Sequence, residues 1–203
     1  MERDWWLRAL LVLQRPGLVF AAMRSDADAE ERQEPLLAII LLAGIAGVLM
    51  TNLASRVLDD YELDALSLSV WVFIAGAIYG VAAYFALGAL VLVGERLAGS
   101  PGSYRRSRHV LAFACVPLVL TFLVVAVRVT AFGEDAFRSG GSDAGVGGTV
   151  IEALELAAIA WSAALLVVGV RTVNEWSWPR ALAASTPALV PPALLLARAF
   201  GVV

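Results

Sequence analysis

His109 is the only imidazole in the 203-residue chain, and it stands beside Arg105, Arg106 and Arg108, with Ser103 and Ser107 close before it. A hydroxyl and an imidazole are two parts of a nucleophilic site, but neither an oriented third group nor a G-x-S-x-G turn accompanies them. Metal-assisted hydrolysis has less to draw on. Cys115 is the only cysteine, and one His with one Cys cannot supply the ligands zinc needs. No catalytic, cofactor or metal residue is assigned, and the chain reads as a protein that is not an enzyme.

The other chemistry in the sequence is charge within apolar surroundings. Counting helical rise from the Arg-rich ends places Arg128 about 27 Å and Glu152 about 28 Å across a membrane, near its far boundary. Glu155 lies one turn deeper and shares a face with Glu152. An acid at that depth either pairs or faces water. Three readings follow: an ion pair of Glu155 with Arg128 or Arg198, a solute or proton site of a small transporter or channel, or a side chain that snorkels to the interface. On the opposite side, Arg8, Arg15, Arg105, Arg106 and Arg108 form a candidate contact for anionic lipid headgroups or a protein partner, although topology marking alone would also place arginines there. Gly76 and Gly80 form a G-x-x-x-G step, which lets two helix backbones meet either within the chain or across a homo-oligomer.

These residues need helices in lipid to position them. The chain is 60% hydrophobic and 16% charged, with mean hydropathy +0.80, an apolar excess that requires lipid as solvent. A net charge of −3 offers no field for nucleic acid. Five runs are long and apolar enough to span about 30 Å of hydrocarbon, at 35–54, 68–93, 110–127, 153–170 and 181–200. Pro187, Pro191 and Pro192 make the fifth the least regular, with the hydroxyls of Ser185 and Thr186 available to the carbonyls the prolines free.

Eleven arginines fall on the side of the N-terminus and four on the other, which predicts a cytoplasmic N-terminus and an outer C-terminus in a plasma membrane. The start of the chain lacks the pattern of a cleaved signal, so the first span is expected to remain. Residues 1–34 read as a cytoplasmic segment. In it, Trp6, Leu10 and Leu13 face away from Arg8 and Arg15, as in an interfacial helix that ends at Pro16-Gly17. Residues 35–203 read as one all-α, five-helix transmembrane bundle. The Gly- and Ser-rich stretch 132–148 is expected to be an outer loop, and Trp161 to pack between helices.

One stretch carries a family likeness: Val93-Gly94-Glu95-Arg96-Leu97-Ala98-Gly99-Ser100, then Gly102-Ser103-Tyr104-Arg105-Arg106-Ser107-Arg108-His109, reaching Pro117 soon after. With Arg15-Pro16-Gly17-Leu18-Val19-Phe20 and Trp178-Pro179-Arg180, it resembles the Yip domain family, the Ypt/Rab-interacting membrane proteins, in their prokaryotic type. The resemblance implies five spans with an inward N-terminus and a membrane-organising or partner-binding role without catalysis, linked in eukaryotic members to Rab GTPases. The expected function is therefore organisation of membrane lipid, or recruitment of a partner, at the cytoplasmic face.

Overall fold

The structure, a computed structural model, describes residues 5–24, 33–50, 65–133 and 145–199. These residues are helical and contain no strand: α1 Trp5–Gln14, α2 Pro16–Ala21, α3 Gln33–Met50, α4 Ala65–Leu97, α5 Tyr104–Ala114, α6 Val116–Phe132, α7 Val146–Asn174 and α8 Trp178–Ala199. Four helical stretches are long and apolar enough to cross a membrane: Ser69–Leu97, Tyr104–Phe132, Val146–Asn174 and Trp178–Arg198. The run expected at 35–54 is represented by a shorter apolar helix, Leu36–Met50, and residues 51–54 lie outside the described residues.

Proline sets the breaks. Arg15 N–H closes the last turn of α1 on Leu11 O at 2.7 Å, and Pro16, which has no N–H to give, takes the first turn of α2. The same device interrupts the long span formed by α5 and α6. Pro117 stands in the first turn of α6 and cannot donate to Phe113 O, so the helix is broken at Cys115.

Three more prolines, Pro187, Pro191 and Pro192, lie inside α8, which nevertheless continues through them to Ala199. The hydroxyls do not serve the freed carbonyls as the sequence suggests. Ser185 Oγ donates to Ala181 O at 2.8 Å and Thr186 Oγ1 to Leu182 O at 3.0 Å, whereas Pro187 frees Ala183 O by i−4 counting.

α5 is the centre of the bundle. Seven of its eleven residues are buried, and it packs against α4, α7 and α3. The main core joins Val110 and Ala112 of α5 to Val12, Phe20, Ile40, Val91, Val170 and Ala184, so α1 and α2 share the core of the spanning helices. A smaller cluster of Ile45, Val48 and Val72 lies between α3 and α4. The glycines let α3 and α4 approach. A Cβ on Gly44 would collide with Gly76 O, and one on Gly80 would meet Ile40 O at 2.5 Å. Gly76 and Gly80 are thus used inside the chain.

Two expectations are corrected. The stretch 132–148 is not loop throughout, because α7 already begins at Val146; Gly147 lies where a Cβ would meet the Phe132 ring at 2.8 Å, so the glycine permits the end of α6 to pass. Trp161, expected between helices, is 42% exposed on α7 and so only partly enclosed. The acidic stretch 59–64 and residues 134–144 lie outside the described residues.

Candidate functional site

The most concentrated polar chemistry lies where α4, α5 and α7 meet at the Arg-rich end. α4 stops in a Schellman turn: Gly99, at φ +88, gives its N–H to Arg96 O and is followed by Ser100 N–H to Glu95 O, both at 2.9 Å. The turn places Ser100 beside the start of α5, where Ser103 Oγ caps the helix by accepting from Arg106 N–H at 3.3 Å. Glu95, fully buried, is held by two donors. Ser107 Oγ reaches Oε2 at 2.5 Å and Asn174 Nδ2 reaches Oε1 at 2.7 Å.

Asn174 bridges the acid to a cation. Its Oδ1 accepts from Arg106 Nη2 at 3.1 Å and Ser100 Oγ at 2.6 Å, while Nδ2 also donates to Val170 O at 2.9 Å. All four hydrogen-bonding capacities of the amide are filled. Burying a carboxylate costs several kcal/mol unless hydrogen bonds and charge compensate it, and this relay supplies both. Arg180 ties α8 to the same end through Nε to Ala98 O at 3.0 Å, with its guanidinium 4.3 Å from the Trp176 ring.

The sequence-predicted arginines divide. Arg106 belongs to this buried relay. Arg108 lies over Tyr84, Phe85 and Tyr104 at 5.3, 4.9 and 4.6 Å, and Gly88 leaves room for its stem. Arg15 is exposed, and Arg8 and Arg105 are half-buried. Ser107 is engaged with Glu95, and Ser103 caps α5. Among the described residues no group of three or more His, Cys, Asp or Glu could hold a metal.

The family model of the Yip1 domain matches residues 10–198. The chain belongs to the Yip1 domain family. No curated protein and no solved structure matches it. With four helices long and apolar enough to cross a membrane, this Yip1 domain protein is an integral membrane protein. Glu95, Ser100, Arg106 and Ser107 all lie between Val93 and Pro117, and Asn174, which joins them, lies farther along the same matched region.

At the other end of the Yip1 domain, Arg128 Nη1 lies 4.0 Å from Glu155 Oε1, and Glu155 is buried. Glu152 and Arg198 are exposed. A double-mutant cycle on Arg128→Ala and Glu155→Ala, read by unfolding in detergent, is expected to give a coupling of about 1 kcal/mol. Strict additivity would show that the two charges act separately.

Proposed function

We propose that this Yip1 domain protein is a non-enzymatic membrane scaffold whose Arg-rich end, together with α1 and α2, gathers anionic lipid headgroups and presents them or itself to a partner. The observation that carries this reading is the two-sided burial of the N-terminal helices. Val12, Val19 and Phe20 enter the core, while Trp6, Leu7, Leu10, Leu11 and Leu18 stay exposed. A helix pair anchored on one side and apolar on the other suits the boundary between headgroups and acyl chains. In this reading residues 1–34 are the cytoplasmic segment, 35–203 the five-span domain, and the C-terminus lies outside.

Headgroup contact then falls on Arg8 and Arg15, within and beside the N-terminal helices, since Arg105, Arg106 and Arg108 all have partners inside the chain. Replacing Arg8 and Arg15 with Gln is expected to weaken retention of phosphatidylglycerol about fivefold per charge at low salt, and less at high salt. Lipid retained through purification measures it. Unchanged retention at low salt would overturn the reading.

A further inference from the structure

Beside the buried relay lies an open cleft of about 280 Å³, lined by Arg24, Arg171, Thr172, Glu175 and Trp176. It sits between the end of the Val146–Asn174 span and the start of the Trp178–Arg198 span, with indoles beside it, the level at which lipid headgroups lie. Its charges alternate. Arg24 Nη1 is 2.9 Å from Glu175 Oε1, and Arg24 Nε donates to Thr172 O at 3.1 Å. Arg171 stacks 4.6 Å from the Trp178 ring, and its Nε is buried without a hydrogen-bond partner. Buried donors are rarely left so, and this one calls for an acceptor.

Glu175 adds a second pointer. It occupies the left-handed region at φ 55 and ψ 37, the only residue other than glycine with positive φ among the described residues. Glycine is usual at such a helix end, so the carboxylate is held there against backbone strain.

We propose that this cleft is a headgroup site for an aminophospholipid, with the phosphodiester on Arg171 and the primary ammonium on Glu175. The proposal rests on the lipid-gathering reading above but uses different residues. The lining carries the Arg171 guanidinium and the Glu175 carboxylate, one oxygen of which Arg24 already holds, so it offers both signs to a headgroup that carries both, and the small volume suits a headgroup better than a larger solute.

Native mass spectrometry of the detergent-solubilised protein with equal phosphatidylethanolamine, phosphatidylcholine and phosphatidylglycerol tests this. The intact chain is expected to retain phosphatidylethanolamine about fivefold over phosphatidylcholine, whose quaternary ammonium has no N–H to give. Arg171→Gln should lose this adduct. Glu175→Gly should lose the preference while melting at a higher temperature, which separates loss of the site from loss of the fold. Arg8→Gln with Arg15→Gln should keep the preference, so failure of the broader reading would be seen apart from failure of this one. Equal retention of the three lipids by the intact chain, or displacement by inorganic phosphate at similar concentration, would overturn the proposal.

Discussion

Asn174→Ala is expected to lower the melting temperature of the detergent-solubilised protein by about 10 °C, the largest effect of any single polar replacement. The change removes four hydrogen bonds at once and leaves Glu95 buried with Ser107 as its remaining side-chain donor. Breaking a buried charged network on one side costs about 3–5 kcal/mol, and each kcal/mol moves the melting point of a chain this size by about 2–4 °C. Asn174→Asp sharpens the test. It keeps the acceptor for Arg106 and Ser100 but faces Glu95 with a second carboxylate, so it should be no more stable than the alanine variant. Intrinsic tryptophan fluorescence on heating reads both. A shift under about 2 °C for Asn174→Ala would remove the relay from the account of stability.

Gly44→Leu is the second large effect, and it should separate α3 from α4. Even a methyl group at Gly44 would collide with Gly76 O and stand 2.5 Å from Gly80 Cα, both backbone atoms that no rotamer change can move. Overpacking of this kind costs about 1–3 kcal/mol and sometimes more. Leucine here is expected at the upper end, with aggregated material on size exclusion. Gly17→Ala and Gly145→Ala meet nothing within 4 Å and serve as controls that should elute as the unchanged protein does. If Gly44→Leu eluted with them, the close contact of the two helices would be wrong.

The apolar helices are legible in the sequence because a membrane span is a long local signal: the runs at 68–93, 110–127, 153–170 and 181–200 lie within the four spanning stretches or overlap them. The buried relay is not. Glu95 stands beside Arg96 at the end of an apolar run and reads as a loop charge, and Asn174 stands 79 residues away in a polar stretch. Nothing local marks them as partners. Arg105, Arg106 and Arg108 read as one surface cluster because they are adjacent, yet helical rotation sends Arg106 to Asn174 and Arg108 to aromatic rings. Burial of α5 is hidden for the same reason, since its first turns are polar by composition and enclosed only by neighbours distant in the chain.

The relay also orders the protein's biogenesis. Glu95 and Ser107 emerge from the ribosome together, but Asn174 follows Glu95 by 79 residues. At about 5–20 residues per second, the acid waits about 4–16 s before the amide that links it to Arg106 has been made. Until α7 arrives, α4 ends in an acid that has Ser107 but not yet Asn174 as a partner, and the membrane insertion machinery is the surrounding available to shelter it.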